Sequence, residues 1–169
     1  MPINPFTVRA AGVSDAGRVR QDNEDNCLVS LEQQLYIVSD GIGGHQAGSI
    51  ASNIVVSVLP QLIQQRLARV TSPRNRIVEL ILRETILELS QKLHAESKTK
   101  SGLQGMGATV ALAYLRYENN FAHLAHMGDS RIYLFRHDRL LQLTEDHSLV
   151  TLLVQHGEIT PSQVQDHPA

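Results

Sequence analysis

The stretch Leu35-Tyr36-Ile37-Val38-Ser39-Asp40-Gly41-Ile42-Gly43-Gly44-His45 constrains the fold most, because an apolar run stops abruptly on an aspartate and then on glycines. Four β-prone or apolar residues followed by Ser-Asp-Gly predict a buried strand that delivers a carboxylate at its end. The glycines let the backbone turn tightly and come close to whatever the carboxylate binds. Taken alone, the pattern is more often an ordinary Asp-Gly turn closing a strand. Its neighbours change that reading.

Upstream, Phe6 to Val13 is a short β-prone run. The loop Ser14 to Asn26 then holds four carboxylates and two arginines, the densest polar stretch of the chain. An EF-hand needs glycine at its sixth position and glutamate at its twelfth. Counted from Asp22 those places hold Cys27 and Gln33, which excludes it. Cys27 to Leu31 predicts a second strand, and Glu32-Gln33-Gln34 a turn that makes a hairpin with Leu35 to Val38. Such a hairpin can bring Asp25, before its first strand, beside Asp40, after its second. The donors on offer are carboxylates and a glycine carbonyl without clustered Cys or His, so Mg²⁺ or Mn²⁺ is expected rather than Zn²⁺. Arg20 in the same loop offers a planar guanidinium suited to a phosphate. Gly128-Asp129-Ser130-Arg131 places a further carboxylate in a tight turn, which a plain surface β-turn explains equally well.

After Gly48 the period becomes helical, with Ile50, Ile54, Val55, Val58, Leu62 and Ile63 on one face and Pro60 expected to kink or divide the helix. Ser72-Pro73 predicts an N-cap and first turn for a second helix reaching about Glu96. Its inner face is read as Ile77, Leu80, Ile81, Leu87 and Leu93, with Glu79/Arg83 and Glu88/Lys92 pairs outside. Thr109 to Tyr117, Asn120 to Met127, Ser130 to His137 and Arg139 to Leu143 predict a meander. Asp146 to Gln155 predicts a short helix, and Thr160-Pro161 one more turn. Hairpin, helix pair and meander in that order define an α+β layered domain. At 169 residues, 42% hydrophobic and 19% charged, the chain suits one domain with a real core. A net charge of −2 without a Lys/Arg cluster disfavours nucleic acid and anionic membranes as partners. The lone Cys27 suits a reducing compartment, and neither a leader nor a segment apolar for long enough to span a bilayer is expected. A soluble cytoplasmic protein follows.

Five motifs carry a resemblance. Arg20-Gln21-Asp22-Asn23-Glu24-Asp25, Asp40-Gly41-Ile42-Gly43-Gly44, Gly105-Met106-Gly107-Ala108-Thr109, Gly128-Asp129-Ser130-Arg131 and Thr144-Glu145-Asp146-His147-Ser148 occur in sequence order. In order and spacing they resemble the metal-dependent serine/threonine protein phosphatases, the PPM or type 2C family in its bacterial form, from about Val8 to the last residue. The resemblance implies a β-sandwich flanked by helix pairs. It implies hydrolysis of phosphoserine and phosphothreonine in proteins, the products of a serine/threonine kinase, by a water bridging two Mg²⁺ or Mn²⁺ ions. Asp40 would bridge both ions and Gly41 would ligate one through its carbonyl. Glu24 and Asp25 would act at the second ion directly or through water, Arg20 would bind the substrate phosphate, and Asp129 would hold a third, weaker ion.

Where animal members carry a histidine after Asp-Gly this chain has Ile42, so no general acid is assigned there. His123, His126 and His147 are read as packing or capping residues. The family pattern continues beyond Gln163-Val164-Gln165-Asp166-His167-Pro168 into further strands and two more metal-binding aspartates. Residues 1–169 are therefore expected to form a single phosphatase-type domain lacking its C-terminal part, with weak metal binding and no measurable activity alone. The alternative function is a catalytically inactive phosphatase-like module that binds phosphoproteins or a partner.

Overall fold

A computed structural model describes residues 7–43 and 46–163. Its elements run β1 (Asn26–Ser30), β2 (Leu35–Ser39), β3 (Gly41–Ile42), α1 (Gln46–Leu67), α2 (Asn75–Thr99), β4 (Gly107–Ala108), β5 (Val110–Arg116), β6 (Phe121–Met127), β7 (Tyr133–Arg136), β8 (Arg139–Gln142) and α3 (Leu149–Gln155), followed by one 3₁₀ turn at Pro161–Gln163. Strands β1-β2-β5-β6 form one antiparallel sheet in that order. Two short pairs, β3 with β4 and β7 with β8, make separate ladders. The expected α+β class holds, and so does the hairpin, whose register pairs Asn26 with Ser39 and Ser30 with Leu35.

Period-two alternation decides which face of the sheet is covered. Leu35, Ile37 and Ser39 of β2 and Val110 and Leu112 of β5 are buried, while Val38 is more than half exposed on the other face. On the buried face α1 lies against β1 and β2, α2 lies against β6, and the two helices pack on each other. Leu59 and Ile63 of α1 meet Val78, Leu82 and Ile86 of α2 in one continuous core with Leu35 and Leu112. Across the opposite face, Arg131 to Tyr133 and Ala11-Gly12 close over β1, β2 and β5 around a space of about 280 Å³. What covers that face among the described residues is the N-terminal segment and the chain leading into the β7–β8 hairpin, whose own strands are exposed.

Several local expectations are corrected. Residues 7–13 form no strand; the segment instead crosses above β1, so close that a Cβ on Gly12 would lie 2.9 Å from Cys27 Sγ. Phe6 lies outside the described residues. α1 runs unbroken through Pro60, which is buried: one missing N–H donor removes one rung, and the packing of Leu59 and Ile63 holds the turns on either side. α1 is also long and apolar enough to cross a membrane by length and composition, contrary to expectation, but here its apolar side is core. α2 begins at Asn75 with Arg74 at the cap position, because Ser72 has φ +50 and is turned away from a capping conformation. Its buried stripe is Val78, Leu82, Thr85, Ile86, Leu89 and Leu93, so Ile77 and Leu80 face outward. Glu88 does pair with Lys92, at 2.6 Å, and also with Arg66 of α1, tying the two helices.

Glu79, expected to pair with Arg83, faces His123 instead, with 3.9 Å between Oε1 and Nδ1. His123 is 3% exposed, its ring lies beside those of Tyr114 and Phe121, and its Nε2 has no hydrogen-bond partner among the described residues. Burial holds its pKa below the usual histidine value, Arg116 acts in the same direction, and Glu79 and Glu118 oppose them. The unfolded chain therefore binds a proton that the folded one does not, so stability falls as pH drops through about 6.5, by at most ~1.4 kcal/mol per pH unit for one proton. Urea unfolding between pH 7.5 and 5.5 is expected to show this loss, and His123→Phe to flatten it. An unchanged pH slope in His123→Phe would assign the loss to other groups.

Candidate active site

The end of β2 is fixed by backbone and hydroxyl groups before any carboxylate is considered. The Asp40 amide donates to Thr109 Oγ1 at 2.9 Å, the Asp40 carbonyl accepts from the Thr109 amide at 2.9 Å, and Ser39 Oγ donates to the Thr109 carbonyl at 2.7 Å. The next two residues were expected only as a glycine turn. They pair as β3 with β4, Gly41 opposite Ala108 and Ile42 opposite Gly107. Gly41 is then squeezed between two other segments: its amide donates to the Glu24 carbonyl at 3.2 Å, and a Cβ there would lie 2.2 Å from the Gly48 carbonyl oxygen. Gly48, in the first turn of α1, is equally confined, since its Cβ would lie 2.9 Å from the Glu24 carboxylate. Ser52, one turn later, donates to the same Glu24 carbonyl and accepts from Asn26 Nδ2. Acidic loop, strand end and helix start thus meet with no room for a side chain between them.

The carboxylates stand around this crossing. Asp40 is partly buried, and the Asp25 carboxylate lies within hydrogen-bonding reach of it. Burial raises the Asp40 pKa above the ordinary carboxylate value; Asp25 and, more distantly, Asp129 raise it further, while the positive charge of Arg20 opposes them. Glu24 Oε1 is buried without a hydrogen-bond partner among the described residues. A cavity of about 530 Å³ opens over the cluster, lined by Arg20, Gln21, Asp22, Glu24, Asp40, Gly41, Ile42 and Gly43. Arg20 makes no ion pair among the described residues.

The sequence-predicted residues are therefore not equally close. Asp40 and Asp25 are neighbours, with Glu24 and Gly41 in the same crossing. Asp129 acts on Asp40 only through its charge, and neither it nor Asp25 lines the cavity. Among the described residues no three acidic, histidine or cysteine side chains converge tightly enough to enclose a cation as they stand. The donor chemistry nevertheless fits one: two adjacent carboxylates whose charges repel, and a buried oxygen without a proton donor, gain from a hard dication with oxygen ligands. Asp22 reaches the cavity wall. Thr109, Gly48, Ser52 and Ser130 were given no role from sequence, although Thr109 and Ser130 lie within two of the quoted motifs.

The fourth and fifth motifs clamp each other. Arg131 holds Asp146 by three hydrogen bonds, Nε to Oδ1 at 2.8 Å and to Oδ2 at 3.1 Å and Nη2 to Oδ2 at 2.6 Å, and lowers the Asp146 pKa. The His147 amide donates to the Gly128 carbonyl at 3.0 Å, and the His147 ring stacks on His126 at 4.4 Å. Ser148 caps α3 by accepting from the Thr151 amide. The turn that carries Asp129 is thus braced from its C-terminal side.

The model of the protein phosphatase 2C family matches residues 9–151, and the chain belongs to that family. It is 37% identical over 158 residues to the serine/threonine phosphatase stp of Listeria innocua, an alignment covering 92% of this chain and 61% of the relative. Its fold is similar to the crystal structure of the serine/threonine phosphatase Stp1 from Staphylococcus aureus, with a TM-score of 0.72 and 31% identity over 92% of this chain and 60% of that one. A PstP catalytic domain solved in complex with two manganese ions matches with a TM-score of 0.64 and 33% identity, over 89% of this chain and 61% of that one. The chain thus spans about three fifths of the length of these relatives.

The crossing at Gly41 makes a direct test of the architecture. Gly41→Ala places a methyl against backbone atoms of Gly48 and Glu24, which no side-chain rotation relieves. The variant is expected to lose about 1–3 kcal/mol of stability, the usual range for overpacking, and to separate α1 from the acidic loop. Thermal unfolding and amide exchange at Gly48 measure both. Unchanged values would mean that the segments are not in contact.

Proposed function

We propose that the protein hydrolyses phosphoserine and phosphothreonine in other proteins with the help of Mg²⁺ or Mn²⁺, residues 1–169 belonging to a single phosphatase domain. The observation that carries this is Asp40, with Asp25 next to it, lining together with Arg20 a cavity large enough for a phosphorylated side chain, Arg20 making no ion pair among the described residues. Family membership and the manganese of the PstP relative support it. When bound, the cations supply positive charge that acidifies water and neutralises phosphate oxygens. Asp40, the Gly41 carbonyl, Glu24 and Asp25 would hold them, and Asp129 would hold a further, weaker one. Arg20 takes the phosphate by paired N–H donors and keeps the ester oriented. No residue of the chain needs to become covalently attached to phosphorus. The substrates are products of a serine/threonine kinase, and the setting is the cytoplasm.

Turnover of a phosphothreonine peptide with Mn²⁺ by the full-length phosphatase domain to which residues 1–169 belong is the experiment. Asp40→Asn is expected to lower kcat by more than about 100-fold, since even the outer partners of a metal ligand are commonly worth 10–100-fold, while the circular dichroism spectrum stays the same. Arg20→Ala is expected to raise KM several-fold with a smaller change in kcat, because it removes binding present before the transition state. Retention of most activity by Asp40→Asn would overturn the assignment. Saturable phosphopeptide binding without any turnover in the wild type would favour the inactive binding module.

A further inference from the structure

Between Asp40 and the Asp129 turn lies a two-hydroxyl relay. Thr109 is 3% exposed, and its Oγ1 accepts the Asp40 amide at 2.9 Å while lying 2.6 Å from Ser130 Oγ. Ser130 is the residue directly after Asp129. The Thr109 methyl fills the space left by Gly128, where a Cβ would come within 2.7 Å of it and where φ is +101. One side chain therefore touches the strand end that presents Asp40 with its hydroxyl, and the turn that presents Asp129 with both hydroxyl and methyl. Such a partner, outside the ligand set but bonded to the backbone that aims it, fixes where ligands point.

We propose that Thr109 and Ser130 are positioning residues that lock the Asp129 turn to the end of β2, so that a cation engaging Asp129 and a cation engaging Asp40 assist each other. This rests on the metal-dependent function proposed above. The Thr109 hydroxyl accepts from the Asp40 amide and shares one further hydrogen bond with Ser130 Oγ, in which either hydroxyl can donate. Removing either hydroxyl leaves the turn held by the methyl contact, the ladder of β5 with β6, the His147–Gly128 backbone bond and the Arg131–Asp146 clamp on its far side. The prediction is a loss of alignment between two carboxylates, not a loss of fold.

The test uses the full chain and two readouts. The first is amide hydrogen exchange in the metal-free protein. Thr109→Val keeps the shape and removes the hydroxyl, and is expected to speed exchange at Asp40 and at residues 128–130 by 10-fold or more; Thr109→Ser, which restores the hydroxyl, is expected to return it to near the wild-type rate. Ser130→Ala, at a half-buried site outside any strand, is expected to speed exchange at 128–130 alone and keeps the test open should Thr109→Val not fold. The second readout is Mn²⁺ titration followed by electron paramagnetic resonance. Thr109→Val and Ser130→Ala are expected to weaken binding about 10-fold, in the range usual for such partners.

Wild-type exchange and affinity in both Thr109→Val and Ser130→Ala would overturn the proposal. Equal damage in Thr109→Ser and Thr109→Val would also overturn it, because the methyl contact would then be the only role of the residue. A wild-type protein that shows the expected exchange pattern but binds no Mn²⁺ would support the relay and overturn the metal-dependent function instead.

Discussion

Everything at the candidate site depends on a backbone crossing that only glycine permits. Gly41 passes between the Glu24 carbonyl and the first turn of α1 at Gly48, with separations that exclude a Cβ at either glycine. The acidic loop, the end of β2 and the start of α1 are thereby held at one point, and their carboxylates have no choice but to be neighbours. The energetic source of that confinement lies elsewhere. Burial of Leu35, Ile37, Leu59, Ile63 and Leu112 in one core presses α1 onto the sheet, and the crossing forms where the helix begins. Apolar packing thus pays for the close approach of like charges.

The electrostatic consequence follows. Asp40 is partly buried beside Asp25; burial first, and then the neighbouring Asp25, raise its pKa. A protein without need of a cation or a proton at that place has little reason to set Asp40 against Asp25 beside a cavity lined by Arg20 and Glu24, whose Oε1 has no hydrogen-bond partner among the described residues. The conflict is local because the hydroxyls of Ser39 and Thr109 satisfy the strand end first, so the backbone does not move to relieve it.

How much of this was legible in the sequence depended on whether a residue's role left a periodic or compositional mark. The β1–β2 hairpin and the position of Asp40 were legible because alternation stops at a carboxylate followed by glycines. The strands β5 to β8 were legible to within a few residues for the same reason. The inner face of α2 was misplaced, since Ile77 and Leu80 are as apolar as the Val78 and Leu82 that are buried, and only the sheet decides which stripe faces inward. The start of α2 was misplaced because Ser72 adopts a left-handed conformation that its sequence context of Thr, Ser and Pro does not announce. Thr109 was invisible as a site residue: a threonine opening an apolar run looks like any strand residue, and its hydroxyl acquires meaning only when β2 and the Asp129 turn arrive from distant parts of the chain.

The central claim, that Asp25 and Asp40 were brought together to share cations, is tested most directly by locating the ions themselves. Crystals grown with Mn²⁺ and measured at an energy near the manganese edge give anomalous density wherever the metal sits. Two peaks flanking the Asp40 carboxylate, one of them beside the Gly41 carbonyl, are expected. Density confined to the surface or to the Asp129 turn, with Asp40 and Asp25 still in direct contact, would contradict the claim.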